Sequence, residues 1–339
     1  MTAPSGTPGG AARTDIAVRR ATDDDRTAVL ALLADSLGWE RDATFAEFFD
    51  WKHRRNPFGV SPAWVAVDRD EIVGFRTFLR WEFDDPDGRV RRAVRAVDTA
   101  TAPAYQGRGV FRLLTTTAVD ALTAEGVDFV FNTPNDQSLP GYLRMGWIEV
   151  GRLPLEARVT NVAGLRRMRK ARAPAGRWPV ATDAGTDAST MLADDRVATL
   201  LEQLPAPRGL RTTRTVAYLR WRYGLPALGY RALSIDDDPA AGLAVFRLRM
   251  RGGAIEAGVS ELLAPPGTDA ARRLLRAVRR EAGADYVIRL GRAGRMLPTD
   301  GFVPLPRHGP VLTYRPLADA SPPPRLRDLD FRLGDVELL

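Results

Sequence analysis

Apolar positions along the chain follow two periods, and the switches between them lay out its elements. Ile16 to Arg20 alternates as a strand, after which Thr22 offers a helix cap and Asp23, Asp24 and Asp25 suit the positive end of a helix. The stripe Val29, Leu30, Leu32, Leu33 and Leu37 recurs at helical spacing and predicts one buried face. A second helical stretch, near Phe45 to Trp51, precedes the turn Asn56-Pro57-Phe58-Gly59. Trp64 to Val67, Ile72 to Phe83 and Arg89 to Thr99 read as three antiparallel strands joined by turn-rich segments at Asp68-Arg69-Asp70 and Asp84-Asp85-Pro86-Asp87-Gly88. A helix from Phe111 to Glu125 stops at Gly126. Val127 to Phe131 is a short buried strand, Ser138 to Met145 a short helix, and Trp147 begins another strand. Pro154 and the basic stretch to Pro179 form a junction, and Ala181 to Asp195 reads as loop.

The second half repeats the first faintly. Tyr218-Leu219-Arg220-Trp221-Arg222-Tyr223 echoes Phe48-Phe49-Asp50-Trp51-Lys52-His53, Gly283 to Val287 echoes Gly126 to Val130, and Gly301-Phe302 echoes Gly146-Trp147. The expected organisation is a tail at 1–14, a first domain at 15–155, a basic linker at 156–195 and a second copy of the same fold at 196–339. Chance similarity between two α/β domains is the competing explanation.

Composition narrows the function classes. At 339 residues, two domains can each bury a core. No apolar run approaches membrane-spanning length, and the Gly-, Ala- and Pro-rich tail lacks the apolar segment of a signal peptide, so a cytoplasmic location is expected. With no cysteine and only His53 and His308, neither a thiolate nor a histidine-based metal site is expected. Lys plus Arg number 49 against 42 acidic residues, but the densest run, Arg166 to Arg172, has no interleaved aromatics, so a nucleic-acid partner is not expected.

Candidate chemistry begins at Tyr105-Gln106-Gly107-Arg108-Gly109-Val110, between a strand and a helix. Two glycines two apart let backbone N–H groups turn toward one point, and the following helix adds its positive end, so the run reads as a phosphate cradle with Arg108 beside it. A dinucleotide fingerprint needs a third glycine where Arg112 stands. Downstream, Asn135, Ser138, Tyr142, Gly146 and Trp147 form a second spaced motif.

Together the two motifs, within residues 15 to 155, resemble the GNAT acyl-CoA N-acyltransferases. The resemblance implies two GNAT-like domains in tandem, each a mixed, mostly antiparallel sheet flanked by helices. It also implies an acetyl-CoA-dependent N-acetyltransferase acting on a primary amine of a small molecule or peptide. On its pattern Gln106, Gly107, Arg108, Gly109, Val110 and Phe111 hold the coenzyme pyrophosphate, the strand residues Thr99, Ala100 and Thr101 pair with the pantetheine arm, and Asn135 and Ser138 orient it. Tyr142 matches the general acid, with a packed aromatic as the alternative, and helix capping is the alternative for Asn135. Asp98, beside the strand residues, is a candidate base, as is Glu82. Trp51, Phe58, Phe75 and Trp81 fall where an acceptor wall or a plain core would stand. In some tandem members the terminal carboxylate enters the pocket, and Val336-Glu337-Leu338-Leu339 is compatible with that.

In the second half, Gly267-Thr268-Asp269-Ala270 falls over the cradle, which has lost its glycine pair, while Arg292 and Thr299 fall near the places of Asn135 and Tyr142. Two other readings stay open: a non-catalytic acyl-CoA-binding regulator, and an arrangement like that of mycothiol synthase, with the C-terminal half active.

Overall fold

The computed structural model describes residues 16–293, 300–318 and 322–337, so the tail at 1–14 lies outside the described residues. The first half runs β1 (Ala17–Arg20), α1 (Arg26–Leu37), α2 (Ala43–His53), β2 (Ala63–Asp68), β3 (Glu71–Asp84), β4 (Val90–Thr101), α3 (Val110–Ala124), β5 (Phe129–Asn132), α4 (Leu139–Arg144), β6 (Ile148–Arg152) and β7 (Leu155–Val159). The basic stretch forms α5 (Val162–Lys170). There follow β8 (Thr186–Asp187), α6 (Ala188–Met191), α7 (Arg196–Glu202), β9 (Arg211–Thr212), α8 (Val216–Tyr223), β10 (Arg231–Ile235), β11 (Asp238–Arg251), β12 (Ala254–Leu263), α9 (Ala270–Glu281), β13 (Tyr286–Leu290), β14 (Val303–Pro304), β15 (Val311–Pro316) and α10 (Leu333–Val336). The fold class matches the expectation, with two mostly antiparallel sheets flanked by helices. The segment at 181–195 differs from the expected loop, because Ala188 and Leu192 are buried and draw it into β8 and α6.

Strand order in the first sheet is β1-β2-β3-β4-β5-β15-β6, with β9 added at the end of β3, and in the second it is β14-β7-β13-β12-β11-β10-β8. The halves therefore exchange strands. Val311–Pro316, from the segment assigned by sequence to the second domain, lies between β5 and β6 of the first sheet, and Leu155–Val159 lies between β13 and β14 of the second. The reason is physical: β5 and β13 are buried strands whose outer edges would leave backbone groups unpaired, and each edge is covered by the other half. Tyr314 stacks on Phe129 across the exchanged pair, centroids 4.7 Å apart.

Between the halves, α2 and α8 meet about a local pseudo-two-fold. Trp51 Nε1 donates to the Trp221 carbonyl at 2.6 Å, Trp221 Nε1 donates to the Trp51 carbonyl at 2.8 Å, and the two indoles stack. Such a reciprocal contact is what two copies of one element make across a symmetric interface, and it joins the two residues the sequence paired. One core cluster spans both halves, while separate clusters lie under α3 with α4 and under α9. Among the described residues no helix is long and apolar enough to cross a membrane.

Two features of β4 set up the site. Its parallel pairing with β5 covers only Ala93 to Arg95, so from Ala96 to Thr101 the two strands diverge into a wedge. At Asp98 the register with β3 slips and the backbone turns to φ +37°, a bulge that re-aims the carboxylate.

Candidate active site

The run Tyr105 to Val110 turns from β4 into α3. Gly107 (φ +73°) and Gly109 (φ +82°) both take the left-handed conformation, and Gly109 caps α3. Gln106 Nε2 donates to the Thr101 carbonyl at 3.3 Å, folding the loop back on the end of β4. Thr101, Gln106, Gly107, Gly109, Val110 and Phe111 line one cavity of about 370 Å³. Arg112 and Arg144 also line it, and its described lining carries no carboxylate. With the positive end of a helix of 15 residues beneath it, the cavity fits a multiply charged anion such as a pyrophosphate. Arg108 is exposed on the same loop, its guanidinium 5.1 Å from the Tyr105 ring, while the Tyr105 hydroxyl donates to Asp68.

The other predicted coenzyme residues fare differently. Ala100 is buried, and Thr99 Oγ1 donates to the Phe75 carbonyl at 3.3 Å. The Asn135 and Ser138 side chains are spent on each other, since Ser138 donates from both its backbone N–H and its Oγ to Asn135 Oδ1. Asn135 thus closes the turn that opens α4.

Tyr142 is held from α4 in the wedge between α3 and the sheet. Pro140 sits in the first turn of α4, and the Tyr142 ring meets Phe111 and Trp147 edge-on at 5.6 and 5.2 Å. Its hydroxyl oxygen accepts a hydrogen bond from Arg76 Nη2 at 2.9 Å. Arg76 was not singled out by sequence, because one arginine inside an apolar strand pattern looks like any outward-facing residue.

On the opposite face, the bulge turns Asp98 into a buried network. Its carboxylate accepts from Lys52 Nζ at 2.9 Å and from His53 Nε2 at 2.7 Å, and His53 Nδ1 lies 3.0 Å from Ser61 Oγ. Burial alone would raise the Asp98 pKa, but the Lys52 charge and the His53 hydrogen bond hold it well below the usual carboxylate range. Burial pushes the His53 imidazole down, outweighing its hydrogen bond to Asp98. A neutral imidazole beside an ionised carboxylate donates from Nε2–H, which leaves Nδ1 to accept from the Ser61 hydroxyl. His53 and Ser61 face a cavity of about 500 Å³ that reaches Phe75 and Thr77 at the level of the bulge. Lys52, His53 and Ser61 escaped sequence reading. The only available signal was that the echo of Trp51-Lys52-His53 in the second half keeps Trp and a cation but replaces His.

Of the predicted wall, Phe75 lines this cavity. Trp51, Phe58 and Trp81 pack between the halves, where Phe58 stacks on Tyr218 and Trp81 Nε1 donates to Thr212 Oγ1. Glu82 is half-buried near the end of β3. At the chain's end Glu337 is buried, its carboxylate accepting from Arg247 and Ser260; Leu338 and Leu339 lie outside the described residues.

Residues 17–150 match the model of the acetyltransferase (GNAT) domain family. The chain carries a GNAT-family acetyltransferase domain. No curated protein matches the chain in sequence. A probable N-acyltransferase of unknown function from Enterococcus faecalis shares the architecture at 13% identity and TM-score 0.63, covering 90% of this chain and 73% of its own. A GCN5-related N-acetyltransferase from Anabaena variabilis does so at 13% identity and TM-score 0.62, with 89% and 73% covered. One from Kribbella flavida shows 18% identity and TM-score 0.58, with 89% and 72% covered. These likenesses reach beyond the GNAT domain into the second half, and at such identities they speak for the fold. Acyl transfer is the general chemistry that the GNAT fold supports.

Proposed function

We propose that the protein is an acetyl-CoA-dependent N-acetyltransferase that moves an acetyl group to a primary amine by direct attack at the first-half site. The observation that carries the reading is the cationic, carboxylate-free cavity on the Gly107–Gly109 cradle, beside the β4–β5 wedge. Gln106, Gly107, Gly109 and the α3 N-terminus would hold the coenzyme pyrophosphate, with Arg108, Arg112 and Arg144 around it, and Thr99 to Thr101, paired with β3 on one edge but not with β5 on the other, would pair with the pantetheine arm. When bound, the coenzyme supplies the activated thioester.

The remaining work falls to side chains of this chain. Tyr142 gives a proton to the departing thiolate, a phenol being fully protonated at neutral pH and close to a thiol in acidity. His53 takes the proton released by the amine through Ser61 or water, and Asp98 orients the imidazole and stabilises its charged form. The cavity of about 500 Å³ takes the acceptor. Its wall holds Arg20, Arg26, Arg54 and Arg80, each ion-paired with Asp23, Asp50 or Glu125, so its net charge is small and shape and hydrogen bonding would select the amine.

The test is a screen with acetyl-CoA against glucosamine, spermidine, glycine and a short peptide, read as free thiol. Turnover of at least one amine, slowed by Tyr142→Phe with coenzyme affinity kept, is expected. Coenzyme binding with no turnover of any amine would instead favour a non-catalytic acyl-CoA sensor.

A further inference from the structure

Arg76 lies in the middle of β3, fully buried beneath the Phe78, Phe111 and Tyr142 rings, with its guanidinium carbon 4.6, 5.5 and 5.4 Å from their centroids. Its hydrogen bond from Nη2 reaches Tyr142, its Nε has no partner, and no carboxylate among the described residues is bonded to it. Burying an ionised guanidinium without a counter-ion is expensive, and an apolar side chain of the same length would pack better. The second half does without the guanidinium. Counted from the parallel pairings, with Ala93 opposite Phe129 and Glu256 opposite Tyr286, Ala244 stands in Arg76's place, on the face under α9. The half without a glycine cradle fills the position with a hydrocarbon.

We propose that Arg76 is a positioning residue for acid catalysis, supplying the counter-charge for the phenolate that Tyr142 becomes when it protonates the leaving thiolate. This rests on Tyr142 acting as the acid. As the new C–N bond forms, the carbon–sulfur bond breaks with its electron pair on sulfur. The phenol proton passes to that sulfur, and the phenolate stays hydrogen-bonded to Arg76 Nη2 until solvent returns a proton. The direction of the hydrogen bond matters. Because Arg76 donates to the phenol oxygen, it leaves the phenol's own proton free to be given away.

The experiment uses the full chain and acetyl-CoA, with the fastest amine of the panel above as acceptor, or water where none reacts. Arg76→Met is expected to lower kcat roughly 10- to 100-fold, to leave acetyl-CoA affinity by calorimetry within about threefold, and to keep or raise Tm, since it removes an unpaired buried charge. Arg76→Lys should recover part of the loss, and the Arg76→Met/Tyr142→Phe double variant should be no slower than Tyr142→Phe alone. Losses that multiply in the double variant, or a Tm that falls in Arg76→Met while kcat holds, would overturn the proposal. If Arg76→Met does not fold, Arg76→Gln makes the same comparison with the charge removed and the length nearly kept. Full turnover in Tyr142→Phe would remove the acid assignment and this proposal together. A slow Tyr142→Phe beside a fast Arg76→Met would remove this proposal alone.

Discussion

The same place in the two halves is filled by Lys52, His53 and Asp98 in one and by Arg222, Tyr223 and Glu261 in the other. In the first, a neutral imidazole bridges a carboxylate to a hydroxyl on the wall of an open cavity. In the second, the Tyr223 hydroxyl lies against Glu261 at 3.3 Å, both fully buried, with Arg214 bonded to Glu261 and to Asp335 of the C-terminal segment. That segment seals the place: a Cβ on Gly334 would stand 2.1 Å from the Tyr223 hydroxyl, and Arg222 donates to the Gly334 and Glu337 carbonyls. Burial holds the Tyr223 phenol well above its ordinary pKa, so it keeps its proton. The cradles differ in the same sense. Gly109 caps α3 at φ +82°, whereas Asp269 caps α9 at φ −91° and puts a carboxylate where an anion would sit. One scaffold thus carries an open site and a plugged one, and the plug is the segment from Gly334 to Glu337.

Four experiments break or sharpen this contrast. The largest effect is expected from Gly109→Trp, which forces a bulky residue into a left-handed conformation at the cradle. Acetyl-CoA affinity by calorimetry should fall at least ~100-fold, and retained binding would sink the cradle. Trp221→Ala empties one side of the reciprocal indole contact and should cost about 3–5 kcal/mol in chemical denaturation. A loss under about 1 kcal/mol would mean the halves do not depend on that contact.

A third experiment follows pH. His53 is held neutral, its folded pKa below the unfolded value of about 6.5, so the unfolded chain binds the extra proton on acidification. Its contribution is therefore complete above about pH 6.5 and is lost as pH falls, by up to about 1.4 kcal/mol per unit. Asp98, held far down, acts in the same direction but only below about pH 4. Melting temperature should drop between pH 7 and 5 in the parent and change less in His53→Gln; equal slopes would mean that His53 does not sense the change. The smallest effect is expected from Asp269→Gly. It should leave a single coenzyme per chain, because Gly267 keeps the left-handed turn of Gly107 but the cap at Asp269 does not take that of Gly109; a second binding event would show that the carboxylate alone had closed it.

The local elements of the site were legible before the structure. Gly107 and Gly109 between a strand and a helix specify a cradle through backbone conformation, and the spacing from Asn135 to Trp147 places Tyr142 on a short helix. The equivalence of Trp51 and Trp221 was legible too, as a repeated segment, but their contact came only with the packing of α2 on α8. The exchange of β7 and β15 was not, since a buried strand reads the same whichever sheet it joins and its partner depends on which edge is left open. Nor was the Asp98 network. It depends on a one-residue slip between β3 and β4 that turns a carboxylate toward α2, where Lys52 and His53 arrive from 45 and more positions away.

The sequence by itself determined what short-range forces can determine: the strands and helices, the left-handed glycines of the cradle, the aromatic helix before Asp98, and the absence of cysteine chemistry. Tertiary structure decided which sheet each exchanged strand completes, which of two similar halves stays open, and which charges share a dry space. Those outcomes turn on burial, whose cost to a charge depends on every element packed around it. Arg76, Asp98 and Glu337 therefore acquire their meaning only when the chain closes over them.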